Sequence, residues 1–354
     1  MKNICVIGAG GTGQCFAADM SLAGHAVSIY DDRKDRRDEI RQAGGITLTG
    51  GGRPGTAHPR VCDSAEQALD GAELVVVCAV AHRHETLAKT CAAHLRDGQT
   101  LLISAGSGAS LLFDREIRAA RRLSAEQTHD VTLGELEGNL YPCRRTHPAR
   151  IFMAFPPARR MVAALPAVDT PRLQAALDGI LETSPASNVL ETALNSPNVV
   201  THVAGCVPNA AGIDRSGGKF AFFRDGLSAS VIKCSAAVEA ERDAVLERLG
   251  LARYMQVTAL SEKLMQGTPP GFEAFVELDG PGNLRHRYVE EDAMCGMSLL
   301  VSLAEACGVD VPVSRSLLCL AGVFNGTDYA ESGRNLKNLG LAGLAPQEIL
   351  VRLC

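Results

Sequence analysis

Residues 3–13, NICVIGAGGTG, constrain this chain more than any other stretch. A short unbroken apolar run ending in glycines is the pattern of a strand buried on both faces of a parallel sheet. It leads straight into Gly8-x-Gly10-x-x-Gly13. QCFAADMSLAG then carries a helical pattern closed by Gly24, a residue suited to the left-handed position after a helix. A second strand, AVSIY, ends at Asp31, eighteen residues after Gly13. In a strand–turn–helix of this kind the glycines have separate duties. Gly8 permits the tight turn, Gly10 admits a pyrophosphate against the backbone, and Gly13 lets helix and strand approach closely. Ala9, Gly11 and Thr12 fill the turn, where the helix N-terminus offers N–H groups to phosphates. Asp31 would accept the adenosine ribose hydroxyls and repel a 2′-phosphate, so NAD(H) is favoured over NADP(H). Arg33, Lys34, Arg36 and Arg37 lie close enough in sequence to reach a phosphate instead.

The alternation continues. AELVVVCAV, QTLLISAGSG, VTLGELEG and RIFMAF read as strands, and HETLAKTCAAHL and SLLFDREIRAARR as helices. Ligands sit at the C-terminal ends of such strands, which adds Val80, Ala105 and Gly106 to the cofactor-binding set and places Glu135 beside them. After TPRLQAALDGIL and NVLETAL the period becomes helical, with long segments at 226–251, 253–266, 291–308 and 314–326. The expected architecture is therefore α/β: a Rossmann dinucleotide-binding domain at 1–187 and an all-α domain at 188–354.

Length and composition narrow the class of partner. A chain of 354 residues exceeds the size at which one core keeps growing, in line with two domains. A formal net charge of −5 gives no reason to expect nucleic acid or an anionic membrane surface. No apolar run reaches the ~20 residues that span a bilayer. The basic run RKDRRDEIR is interleaved with acids and reads as a solvated helix face. The twelve cysteines include no C-x-x-C pair, and Cys5, Cys15, Cys78 and Cys91 fall inside apolar segments, as small hydrophobes in a reducing compartment do. MKNICVIG enters a strand with no cleavage-site pattern, so the cytoplasm is the expected location. No metal is expected, because His82 and His84 lack a third ligand at matching spacing.

NSPNVVTH, residues 195–202, opens the helical half. Asn195 or Ser196 can cap a helix there, Pro197 suits its first turn, and Asn198 and His202 fall one turn apart on one face. By itself the segment reads as a core histidine. Further on, RHRYVEED puts Arg287 five residues before Asp292. Alone, the arginine reads as surface charge and the acids as the first turn of a helix, while Glu135 reads equally as a loop acid or a site acid.

Nine segments, in order along nearly the whole chain, resemble the opine dehydrogenases of the octopine/nopaline dehydrogenase family. They are GAGGTG, GTAHP, SAGSGASLLF, LGELEGNLYPCR, LNSPNVVTH, FRDGLSASV, VEAERDAV, GPGNLRHRYVEED and NLKNLGLAGL. The resemblance implies condensation of an α-keto acid with the amino group of an amino acid, followed by reduction of the imine with NAD(P)H. It places the catalytic histidine on His202, its partner acid on Asp292, the keto-acid-binding arginine on Arg287, and a glutamate that meets the amino substrate on Glu135. Asn198 would position substrate or nicotinamide. A homodimer is implied as well. The chemistry is consistent: a carbinolamine hydroxyl needs a proton to leave as water, and histidine titrates near neutrality. Arginine binds a carboxylate through its planar fork.

There are departures from the family pattern. Val203 follows the histidine where proline is frequent, and EEDAMCG replaces a more usual proline-containing turn. Phe220, Phe222 and Phe223 could line a substrate pocket or pack as core. The nearest alternative is a 2-keto-acid reductase of the ketopantoate reductase type, which carries a lysine proton donor four residues before the asparagine. Leu194 stands at that position and cannot donate a proton.

Overall fold

Alternate residues of each central strand face opposite sides of one sheet, and both sides are apolar. In the computed structural model, which describes residues 1–124, 130–254, 256–278 and 280–354, the chain divides into two compact units, Met1–Val189 and Leu190–Cys354.

The first unit begins with β1 (Asn3–Ile7), α1 (Gly11–Leu22), β2 (Ala26–Tyr30) and α2 (Lys34–Gln42). There follow β3 (Ile46–Gly50), β4 (Gly55–Ala57), β5 (Arg60–Val61), α3 (Ala65–Leu69) and β6 (Leu74–Val77). Next come α4 (His84–Ala92), β7 (Thr100–Ser104), α5 (Ala109–Ser124) and β8 (Thr132–Leu136). The unit closes with β9 (Cys143–His147), β10 (Arg150–Met153), β11 (Arg160–Leu165), α6 (Thr170–Leu177) and β12 (Thr183–Pro185). The main sheet runs β12-β11-β8-β7-β6-β1-β2-β5, parallel except where β11 meets β8. Ile4 and Val6 join Phe16 and Met20 of α1 on one side. Cys5 and Ile7 join Leu87 of α4 and Phe113 of α5 on the other.

RIFMAF is a strand, as expected, but it lies outside this sheet. As β10 it pairs with β3 and β9 in a separate sheet of order β4-β3-β10-β9. Cys5, Cys15, Cys78 and Cys91 are free and buried as anticipated, and burial pushes the Cys91 thiol up to about 12. In α2 only Ile40 is buried, which fits a solvated basic face.

The second unit is helical. It opens with α7 (Val189–Leu194), α8 (Pro197–Cys206), α9 (Ala210–Arg215), α10 (Phe222–Asp225) and α11 (Ala229–Leu249). It continues with α12 (Val257–Gln266), α13 (Glu273–Val276), α14 (Arg287–Asp292), a π-helical segment (Ala293–Met297) and α15 (Ser298–Cys307). The last elements are α16 (Pro312–Asn325), α17 (Tyr329–Ser332) and α18 (Pro346–Leu353). Of the expected helix at 253–266, Met255 lies outside the described residues. The α/β class, a Rossmann half followed by an all-α half, is the fold the chain adopts. No helix among the described residues is long and apolar enough to cross a membrane.

Candidate functional site

The glycine turn after β1 can be tested for fit to a dinucleotide by asking what a Cβ would meet. At Gly13 it would lie 1.8 Å from the Gly8 carbonyl oxygen, so α1 approaches β1 only because this residue has no side chain. Gly8 has φ +103°, and a Cβ there would press on the Cys78 backbone at 3.0 Å. At Gly10 a Cβ would meet nothing within 4 Å. Two glycines are thus filled from within, while the middle one leaves the open approach that a pyrophosphate needs. Gly11 and Thr12, at the start of α1, are partly exposed, and Ala9 is buried.

Asp31 has a structural duty beside the one expected of it. Its Oδ2 accepts the Ala9 N–H at 2.7 Å, and its Oδ1 accepts the Arg33 N–H at 3.0 Å and the Arg33 Nε–H at 3.3 Å. The carboxylate, 6% exposed, therefore braces the glycine turn before any ribose arrives. Asp32 is more accessible and pairs with Arg83. The neighbouring cations are engaged too: Lys34 with Asp38, Arg36 with Glu39, and Arg37 with the Asp31 carbonyl.

Beyond β7, Ala105 and Ser107 adopt φ of +54° and +49°, a left-handed conformation that is costly for residues with a Cβ and collects at functional sites. Val80 precedes a short 3-10 turn beyond β6 and is partly exposed. His84 is buried, with Nε2 3.0 Å from the Ala79 carbonyl oxygen, while His82 is exposed. No group of three His, Cys, Asp or Glu side chains that could hold a metal occurs among the described residues.

Glu135 is not a loop acid. It is a fully buried residue of β8 whose Oε2 accepts the Gly108 N–H at 2.9 Å, and whose Oε1 accepts the Ser110 N–H at 2.7 Å and hydroxyl at 2.6 Å. It holds the N-terminus of α5. Gly106 belongs to the same contact, since a Cβ there would fall 2.3 Å from Glu135 Oε2.

Two residues on, Glu137 stands where β8 ends, its own N–H bonded to the Met161 carbonyl at 3.0 Å. The sequence reading passed over it, although a step of two along a strand keeps the same face. Its carboxyl is 8% exposed, and burial raises it from 4.5 to about 7, with nearby Arg160 opposing. A hydrogen bond from the Met161 backbone opposes the rise as well, and Arg160 Nε is buried without a partner among the described residues. A carboxyl whose folded value exceeds its ordinary one binds its proton more tightly in the folded state. Its ionisation therefore costs nothing below pH 4.5 and its full amount above about pH 7. Glu137→Gln is expected to stabilise the protein by up to roughly 3 kcal/mol at pH 8 and hardly at pH 4.5, read as urea midpoints at the two pH values. Equal midpoint shifts at both would contradict the buried-acid account.

In the helical unit, Ser196 occupies the N-cap of α8 and Pro197 its first turn, but the Ser196 side chain makes no capping bond. Asn195 fastens the junction instead: its Nδ2 donates to the Glu191 and Ala252 carbonyls at 2.9 Å, and its Oδ1 accepts the Tyr254 N–H at 3.0 Å. Every residue of α8 from Val199 to Cys206 is buried. His202, 5% exposed, places Nδ1 2.7 Å from Oδ2 of Asp292, itself 8% exposed. Asp292 ends α14 and adjoins the π-helical segment, so service to a helix N-terminus does not account for it. Bulges of this kind are frequent at functional sites. Gly296 within the segment lets it close on α8, because a Cβ there would meet Val199 Cγ2 at 2.9 Å.

Arg287 is 30% exposed, with Nη1 3.9 Å from Glu291 Oε2. Asn198 is partly exposed one turn before His202, with no side-chain hydrogen bond among the described residues, so it neither caps nor bridges backbone. Phe222 packs as core, edge-on to His202 at 5.9 Å. Tyr288, which the sequence reading did not single out, stacks on His202 with centroids 3.8 Å apart. Its spacing of four from Asp292 was the available signal, since both side chains lie on one helix face.

A nucleotide-type sheet with an open glycine turn, joined to a helical unit holding a buried histidine–carboxylate pair, defines a two-domain, nicotinamide-dependent dehydrogenase. Residues 185–325 match the family described as NAD/NADP octopine/nopaline dehydrogenase, alpha-helical domain, and residues 4–135 match ketopantoate reductase PanE/ApbA. The opine dehydrogenase of Arthrobacter sp. (strain 1C) is 30% identical over 355 residues, covering 97% of this chain and 96% of that one. Octopine dehydrogenase in complex with NADH and agmatine superposes with a TM-score of 0.73 at 16% identity, over 99% of this chain and 98% of that one. A structure of octopine dehydrogenase with NADH and pyruvate gives 0.70 at 18% identity, over 98% of this chain and 95% of that one. The chain belongs to the opine dehydrogenase family, NAD(P)-dependent oxidoreductases acting on CH–NH donors.

Proposed function

We propose that this enzyme joins a pyruvate-like α-keto acid to the amino group of an amino acid, with His202 as general acid/base and NADH preferred to NADPH. The observation that carries the reading is the buried 2.7 Å contact between His202 Nδ1 and Asp292. Asp292 accepts the Nδ1 proton, which fixes the tautomer and steadies the imidazolium, so Nε2 faces the reaction. Attack of the amine on the keto carbon gives a carbinolamine. His202 then donates a proton to its hydroxyl, water leaves, and the imine remains. Arg287 holds the keto-acid carboxylate through its fork. Asn198, one turn away and partly exposed, orients the substrate. Glu137 replaces Glu135 as the carboxylate that meets the amino end, with Arg160 beside it for the amino acid's own carboxylate.

Gly8 to Gly13 would hold the pyrophosphate, and Val80, Ala105 and Gly106 lie at the strand ends that would flank the rest of the dinucleotide. Bound there, the nicotinamide supplies the hydride that reduces the imine. The preference for NADH rests on adjacent Asp31 and Asp32, whose charges already occupy Arg33 and Arg83. A homodimer and a cytoplasmic location belong to the same proposal. Simple keto-acid reduction has less support, because Leu194 is fully buried and has no proton to give.

The test is a matrix of keto acids against amino acids with NADH and NADPH. Turnover is expected only when keto acid and amine are both present, and faster with NADH. Pyruvate-dependent oxidation that no amine accelerates would reject the condensation.

A further inference from the structure

We propose that Tyr288 is a positioning residue, a flat platform that fixes His202 and Arg287 relative to one another and so sets the distance between proton donor and keto-acid carboxylate. This rests on the roles proposed above for those two side chains.

The Tyr288 ring lies 3.8 Å from the imidazole of His202, centroid to centroid, at an interplanar angle of 17°. The guanidinium carbon of Arg287 lies over the same ring, 5.1 Å from its centroid. Tyr288 is 3% exposed and packs near-perpendicular to Phe222, at 5.6 Å and 80°, and to His286, at 4.8 Å and 82°. Phe222 can sit there because α8 carries Gly205, where a Cβ would lie 2.3 Å from Phe222 Cζ.

The hydrogen bond from Asp292 acts on one edge of the imidazole, at Nδ1. The parallel face of Tyr288 acts on the whole ring plane and limits its tilt. Because Tyr288 and Asp292 are four residues apart on α14, one helix presents both constraints. Arginine stacks on aromatic faces through the plane of its guanidinium, so the same ring limits where Arg287 can place its fork. Loss of the ring therefore disturbs proton donor and carboxylate clamp together, a signature that loss of either group alone does not give.

The test compares Tyr288→Leu with Tyr288→Phe in the intact enzyme. For Tyr288→Leu, kcat is expected to fall by about 10²-fold, the scale of a ~1 Å misplacement. The KM for the keto acid should rise with it, while the KM for the amino acid and the Kd for NADH hold. Tyr288→Phe, which keeps the ring, should restore most of both. Wild-type kcat and keto-acid KM in Tyr288→Leu would overturn the proposal, as would equal damage in Tyr288→Phe.

A measurement on the native enzyme needs no variant. NMR of histidine-labelled protein should show the His202 carbon-bound protons shifted upfield by the Tyr288 ring current, with assignment from their loss in His202→Ala. Unshifted protons would also overturn it. Failure of the underlying reading is distinct: His202→Ala would then keep its turnover while the ring-current shift of the native enzyme persists.

Discussion

His202→Ala is expected to lower kcat by at least about 10²-fold, the usual scale for a lost acid/base group, while the Kd for NADH changes little. The two readouts separate because the groups that fit a dinucleotide, from Gly8 to Gly106, belong to the first unit and His202 to the second. The alternative, a satisfied core histidine, predicts a different pair of results. Removing a 5%-exposed ring that is stacked on Tyr288 and bonded to Asp292 would then lower thermal stability and leave the chemical step intact. Asp292→Asn sharpens the contrast. It keeps the shape of the pair but removes the charge that steadies an imidazolium, so kcat should fall with a small change in Tm. Near-normal turnover in His202→Ala under saturating keto acid, amine and NADH would exclude the proton-donor role.

The parts of this enzyme legible in its sequence are those that local pattern specifies. β1, the glycine turn and α1 follow from a contiguous run, in which Gly8 and Gly13 are held tight against neighbouring backbone and Gly10 is left open. The second sheet was not legible as such. Its strands β3 and β10 pair Thr47 with Arg150, and β9 is the charged run CRRTH, so neither proximity in the chain nor an apolar pattern announces the pairing. The His202–Asp292 contact spans ninety residues and was expected only through family resemblance; the glycines that permit it, Gly296 above all, have no local signature. Asp31 and Glu135 share a feature that no local pattern shows. Each is an acid at the ligand end of the sheet, and each accepts backbone N–H groups that tertiary structure brings to it. A carboxylate near a glycine-rich turn is as valuable for satisfying the turn's own donors as for binding a ligand.

Glu135 provides the second large effect. Glu135→Ala is expected to destabilise the enzyme by about 3–5 kcal/mol, because it leaves several buried donors without an acceptor at about 1–3 kcal/mol each. The Gly108 N–H, the Ser110 N–H and the Ser110 hydroxyl would all lose an acceptor that water cannot easily replace at a fully buried site. The void would open against Gly106, which touches the carboxylate closely enough to have no room for a side chain. Dinucleotide affinity should therefore weaken along with stability, through the strained turn at Ala105 and Ser107. Glu135→Gln retains the shape and one carbonyl acceptor, so its loss should be smaller, about 1–3 kcal/mol for the unsatisfied donor. The KM for the amino substrate decides between a structural and a substrate-binding carboxylate. If Glu135 caps α5, Glu135→Gln lowers the urea midpoint and leaves that KM near wild type, whereas Glu137→Gln raises it. The reverse pattern, an unchanged midpoint with a raised amine KM in Glu135→Gln, would return the amino-binding role to Glu135.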